Sequence, residues 1–184
     1  MSNLLTVERA LEMVSDERLV PVSEIEDIVP QEDDYILEPG SLHATKHAVS
    51  RILKGTGVSR RLLGELSEST RQAVLREVLP QTERRCLVKS GLLMKVYDEI
   101  DPCVPHTRLI ELLRDNLPDC RFAYVGWDTR GVWEVRAVTP ELCEGPDDDR
   151  SFGGVALHEN GGLSVCEYIY RLVCTNGLLS LIHI

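Results

Sequence analysis

Apolar residues recur at helical spacing in the first half of this chain and alternate with polar ones in much of the second. That change of period is its main structural signal. Leu4-Leu5, Ala10-Leu11 and Val14 mark a short helix over residues 6–16. Residues 20–42 break the pattern. Pro21, Pro30, Pro39 and Gly40 punctuate them, Gln31-Glu32-Asp33-Asp34 makes them acidic, and only Tyr35-Ile36-Leu37 reads as a short strand. Thr45 is placed to cap a helix over 46–55 with Ala48, Val49, Ile52 and Leu53 on one face, and Gly55 and Gly57 end it. Ser59 caps a helical turn from Arg60 to Leu66. Ser67 opens a third helix with Leu75 and Val78 inside and Pro80 past its end.

Alternation takes over at Arg85–Lys89 and Leu92–Val96, two strands joined at Ser90-Gly91. One more helix, Pro105–Leu117, carries the stripe Leu109, Ile110, Leu112, Leu113 and stops at Pro118. Two hairpins follow: Arg121–Trp127 with Val132–Val138, and Gly153–His158 with Leu163–Val173 around Glu159-Asn160-Gly161-Gly162. A polar loop over 144–150 separates them. Helices first and antiparallel strands later predict an α+β fold, with N-terminal helices packed on a mainly antiparallel sheet formed by the C-terminal half. The expected organisation is a helix and irregular acidic lead-in over 1–40 and a single α+β domain over 41–178. The helices of 46–80 are expected to cover the C-terminal sheet.

Charge narrows the choice of partner. The 184 residues carry a net charge of −10, with 43% hydrophobic and 27% charged residues. Such a chain has no general pull toward nucleic acid. The distribution is uneven: residues 1–45 hold eleven acids and two bases, whereas 46–80 hold seven bases and three acids. Any basic face comes from 46–80, where Arg60 and Arg61 are adjacent; a solvated helical face is the competing reading. No apolar run approaches the ~20 residues of a membrane helix, so no membrane partner is expected. The N-terminus lacks the basic and apolar regions of an export signal. Six scattered cysteines without a Cys-x-x-Cys then read as reduced thiols in a cytoplasmic protein.

Several segments carry a family likeness. They are Thr45-Lys46-His47-Ala48, Gly57-Val58-Ser59-Arg60-Arg61-Leu62-Leu63, and Val96-Tyr97-Asp98-Glu99-Ile100-Asp101 leading into Leu109–Leu113. The most specific is the strand end Tyr170-Arg171-Leu172-Val173-Cys174-Thr175-Asn176. Over residues 40–178 the chain resembles the phage/plasmid-like protein family grouped as domain of unknown function 932. The resemblance implies an accessory protein of a phage, prophage or plasmid, with Tyr170, Arg171, Val173, Cys174 and Asn176 as signature residues. Members of that family continue past the signature, whereas this chain ends eight residues after Asn176. Its last six residues, Leu179-Ser180-Leu181-Ile182-His183-Ile184, match the in-frame translation of a transposon-end sequencing adapter. The expectation is a C-terminally truncated fragment with an adapter-encoded tail over 179–184. Such a tail should make few contacts and leave an apolar patch or unpaired sheet edge beside 165–175. A genuine apolar terminal strand is the alternative.

The candidate chemistry is sparse. Cys174, at a strand end, is a candidate nucleophile with His158 as its base, against the reading of a buried structural thiol. Arg171, mid-strand, faces solvent, pairs with an acid such as Glu134 or Glu167, or binds an anion. Trp127, Arg130 and Trp133, near a hairpin turn, are candidates for nucleobase stacking, with core packing as the alternative. His43 and His47 lack a third ligand, and His47 is expected to pack or cap. Nothing resembles a phosphate loop, a dinucleotide fingerprint or a calcium loop, so neither metal nor cofactor is expected. The first function on this reading is non-enzymatic binding of single-stranded or duplex DNA. Binding to a host or phage protein comes second, and a Cys174-dependent enzyme third.

Overall fold

The computed structural model describes residues 4–101, 103–128, 132–144, 150–160, 162–172 and 179–183; for 140–144, 150, 171, 172 and 179–183 this is the backbone alone. In chain order, α1 (Val7–Glu12) leads to β1 (Arg18–Pro21), β2 (Asp27–Pro30), β3 (Tyr35–Glu38) and β4 (Leu42–Ala44). Helices α2 (Lys46–Ile52), α3 (Arg60–Glu65) and α4 (Glu68–Val78) follow. Then come β5 (Arg85–Lys89), β6 (Leu92–Tyr97) and α5 (His106–Asn116). The remainder is β7 (Arg121–Trp127), β8 (Trp133–Glu144), β9 (Arg150–Glu159), β10 (Leu163–Leu172) and β11 (Leu179–His183).

Hydroxyl caps start the first four helices. Thr6, Thr45, Ser59 and Ser67 accept hydrogen bonds from the backbone N–H groups of Arg9, Ala48, Leu62 and Thr70. Each satisfies an amide that has no partner inside its own helix. Gly55 and Gly57, beyond α2, take φ of +82° and +76°, a left-handed turn that favours glycine.

The chain forms two compact units, Asp16–Cys103 and Met1–Ser15 with Val104–Ile184. It is a mixed helix and strand protein with two sheets, not one. The first sheet, in Asp16–Cys103, has the order β1-β5-β6-β4-β3-β2. Its pairings are antiparallel except β4 with β6, which run parallel at His43↔Leu92. Residues 1–40, expected as helix and irregular lead-in, therefore contain three strands besides α1.

The helices of 46–80 cover this N-terminal sheet, not the C-terminal one. Val49, Ile52, Leu63 and Leu75 share one buried cluster with Ile28, Leu37, Val88 and Val96. A bidentate pair ties α4 to β2. Arg71 Nε donates to Asp27 Oδ1 at 2.6 Å and Nη2 to Oδ2 at 2.9 Å, both residues being buried. Burial alone would raise the Asp27 carboxyl. Hydrogen bonds from Arg71 and the Ile28 amide outweigh that and hold it below the ordinary aspartate range.

The second unit is an antiparallel meander ordered β11-β10-β9-β8-β7. One face packs on helices: Leu109, Ile110 and Leu113 of α5 and Ala10 and Val14 meet Phe122, Val125, Trp133, Val135 and Leu157. The other face carries Val138, Phe152, Ala156, Tyr168 and Tyr170. Gly154 is required there, since a Cβ on it would sit 2.6 Å from the Tyr168 ring and 2.7 Å from the Ala137 carbonyl oxygen. Tyr168 itself donates to that carbonyl at 3.1 Å.

The C-terminal segment differs from the expectation of a loose tail. β11 pairs with β10 from Tyr168↔His183 to Leu172↔Leu179, so its backbone covers the β10 edge beside 168–172. An apolar stretch with no Gly or Pro can take the free N–H and C=O groups of a neighbouring strand whatever its origin. Among the described residues, no helix is long and apolar enough to cross a membrane.

Candidate nucleic-acid interface

The excess of bases in 46–80 is smaller in space than in sequence. Arg71 is consumed by Asp27 inside the core. Arg51 Nη2 lies 3.1 Å from Asp98 Oδ2, and Lys46 Nζ lies 3.4 Å from Asp33 Oδ1. Asp98 gathers further cations, Arg84 at 3.0 Å and Lys54 at 3.4 Å. Its partial burial pushes the carboxyl up, but the Arg84 hydrogen bond and the charges of Arg51 and Lys54 prevail and lower it. Arg84 also donates to the carbonyls of Ile52 and Lys54, the exposed carbonyl end of α2.

Three cations remain poised at one place. An open groove of about 400 Å³ is lined by Lys54, Arg60 and Arg61 with Ser50, Ser59, Leu53 and Val58. No carboxylate lines it. Arg60 has no carboxylate partner among the described residues. Arg61 pairs with Glu65 at 2.9 Å, but the two side chains are 90% and 60% exposed. The Lys54 side chain is 66% exposed in its pair with Asp98. Exposed pairs of this kind contribute only about 0–1 kcal/mol, so an incoming anion can displace them. Local sequence builds the groove. The left-handed turns at Gly55 and Gly57 end α2 and reverse the chain, and the Ser59 cap then starts α3 with Arg60 and Arg61 in its first turn. A larger cleft of about 500 Å³ includes Arg84, Arg85, Asp98, Glu99 and Asp101, so both signs of charge line it.

The stacking candidates fare differently. Trp133 is fully buried, with its ring stacked 3.8 Å from that of His106 at 3°. Trp127 pairs with Trp133 across β7 and β8 and packs edge-on to His106 at 5.5 Å. The core reading accounts for both rings, and Trp133 presents no face to a base. Arg130 lies outside the described residues. So do Val173, Cys174 and Asn176, while Arg171 is described by its backbone alone, opposite Ser151 on β9 and Ser180 on β11. Tyr170 is buried in the tyrosine-bearing face. Glu134, one acid expected for Arg171, accepts from Arg136, whose Nε and Nη2 donate to it at 2.5 and 3.0 Å. His43 is exposed in β4, and His47 is exposed on α2 because it faces away from the stripe of Ala48, Val49 and Ile52.

Sequence reasoning missed two arrangements. His106 Nε2 lies 2.7 Å from Glu159 Oε2, and both residues are buried. This pair joins the start of α5 to the end of β9, and its partners lie too far apart in sequence for a local pattern to reveal it. His158, the expected base for Cys174, which lies outside the described residues, has its Nε2 3.2 Å from the Cys166 Sγ. Here a signal existed. In a hairpin turning at 160–162, positions 158 and 166 fall on one face, one register step apart. No family model, curated protein or solved structure matches the chain.

Proposed function

We propose that this chain is an accessory protein of a phage, prophage or plasmid that binds single-stranded nucleic acid through its phosphates. The observation that carries the binding is the groove in which Lys54, Arg60 and Arg61 converge with two serines and no acid. The mobile-element setting rests on the family likeness of residues 45–48, 57–63, 96–113 and 170–176. Three weakly paired cations suit successive phosphates of a flexible strand, and the Ser59 hydroxyl, which only accepts within the helix cap, adds a neutral donor. With both tryptophans packed beside His106 and no other aromatic in the groove, backbone contacts supply the affinity and sequence preference is low. The overall charge of −10 makes binding modest and confined to low salt.

The test is fluorescence anisotropy with a labelled oligothymidylate. Three phosphate contacts on a single strand give a loss of about 20-fold in affinity between 50 and 200 mM salt. Arg60→Glu with Arg61→Glu should abolish binding with little change in the melting temperature, since Arg61 is exposed and Arg60 is only half-buried. No binding at about 50 mM salt, where phosphate contacts are strongest, removes the proposal. Recovery of a host protein on immobilised chain, with no nucleic acid bound, would favour the protein-partner reading.

A further inference from the structure

We infer that Cys166, His158 and Glu134 form a thiol acyl-transfer site on the meander, with Cys166 as nucleophile, His158 as general base and Glu134 as positioning residue. The inference is independent of the nucleic-acid groove, which lies in the other unit.

Strand register builds the site. Glu134 on β8 stands directly opposite His158 on β9, and Cys166 on β10 stands opposite Ala156, diagonal to His158 on the same face. Long side chains reach across such diagonals. The His158 Nε2 to Cys166 Sγ distance is 3.2 Å, and Nδ1 lies 3.6 Å from Glu134 Oε1. The second distance is an ion-pair contact longer than a hydrogen bond. Glu134 is itself fixed by the two Arg136 hydrogen bonds, and the Arg136 guanidinium lies 5.6 Å from the Tyr124 ring centroid. Cys166 and His158 are both half-buried, so a reagent can reach them.

The ring geometry selects the chemistry. Cys166 and Glu134 address opposite nitrogens of one imidazole, so they cannot converge on one ion; they are arranged in series, as a proton relay requires. The Glu134 carboxylate 3.6 Å from Nδ1 electrostatically favours the neutral tautomer protonated there, which turns the Nε2 lone pair toward the thiol. The substrate class is an activated acyl group, an ester or thioester. Sγ forms a bond to the acyl carbon and its proton passes to Nε2. The bond from acyl carbon to leaving group breaks, and the leaving group takes that proton. Water then attacks the protein thioester, His158 accepts a proton from it, and the restored thiol and a carboxylic acid are the products. Each step needs only substrate and water.

The experiment combines site-resolved iodoacetamide labelling with p-nitrophenyl acetate turnover, both on the full chain near neutral pH. Cys103, also half-buried but in the other unit, is the reference thiol. Cys86 and Cys120 are unsuitable, because burial pushes their thiols up, Cys86 to about 12. Cys166 should label about a hundredfold faster than Cys103, the low end of general-base assistance. His158→Gln should bring it to the Cys103 rate, and Glu134→Gln should slow it partway. The ester should release a stoichiometric burst of p-nitrophenol that leaves an acetyl group on Cys166 and vanishes in Cys166→Ser. Should His158→Gln fail to fold, the Glu134→Gln rate and the location of the acetyl group decide. Labelling of Cys166 no faster than Cys103, or a burst that survives Cys166→Ser, overturns the inference.

Discussion

Each unit ties a helix to its sheet with a buried pair of opposite polarity, and the two ties differ in kind. In Asp16–Cys103 the tie is Arg71 on Asp27, a permanent cation in a bidentate fork. In the meander unit it is His106 on Glu159, a titratable ring stacked against Trp133. The first satisfies itself through charge and fork geometry. The second adds aromatic packing to the polar contact between imidazole and carboxylate, so it keeps more of its value when the charge is removed. Burying a permanent ion makes a unit intolerant of losing the partner, whereas burying an imidazole leaves a neutral hydrogen bond to fall back on.

The largest expected effect tests the core that both ties support. Leu75 is fully buried among helix and sheet residues of Asp16–Cys103. Leu75→Asp should cost this unit more than about 4 kcal/mol in urea unfolding followed by circular dichroism, because an unpaired charge enters the core. A loss under about 1 kcal/mol would show that α4 is peripheral.

Next come the ties themselves. Asp27→Asn should cost about 3–5 kcal/mol, since Arg71 keeps its charge without a carboxylate. Glu159→Gln should cost only about 1–2 kcal/mol, read by tryptophan emission, because a neutral amide still meets the imidazole. Both tryptophans lie in the meander unit, so that signal reports on it alone. Equal losses in the two variants would break the comparison.

A pH series sharpens it further. The folded Asp27 carboxyl is lowered relative to the unfolded chain, so its contribution is fully present above the unfolded value of about 4. Stability should fall as pH drops below that value and through the folded one. In Asp27→Asn this acid-dependent component should be absent from urea midpoints measured between pH 7 and 3. The smallest effect belongs to the exposed Arg61–Glu65 pair, where Arg61→Ala should change the melting free energy by less than about 0.5 kcal/mol.

The helices were legible where chemistry is local. Thr45, Ser59 and Ser67 cap what their spacing to the apolar stripes predicts. The hairpins β7–β8 and β9–β10 were legible for the same reason, each being two alternating runs around one turn. Strands β1, β2 and β4 were not. They are three or four residues long, β1 and β2 end on Pro21 and Pro30, and β1 and one edge of β4 have distant partners: Arg18 pairs with Val88, and His43 with Leu92. Runs so short carry too little alternation to stand apart from a loop. The site residues divide along the same line. Arg60 and Arg61 were visible as adjacent bases, but the acids that remove Arg51 and Arg71 from the basic face come from elsewhere in the chain. Cys166 could have been found by counting register from the turn at 160–162.

The order of the units along the chain has a consequence for synthesis. Met1–Ser15 belongs with Val104–Ile184, and Asp16–Cys103 lies between them in sequence. Leu5 makes its two backbone hydrogen bonds with Phe122, and Ala10 and Val14 bury against elements that begin at residue 104. A ribosome therefore releases α1 long before anything exists to cover its apolar face. The intervening unit carries all six of its strands and can close first, while the N-terminal helix waits as an exposed amphipathic segment. Nascent chains stalled before residue 122 should leave Leu5, Ala10 and Val14 open to proteolysis and to chaperones that recognise short apolar stretches.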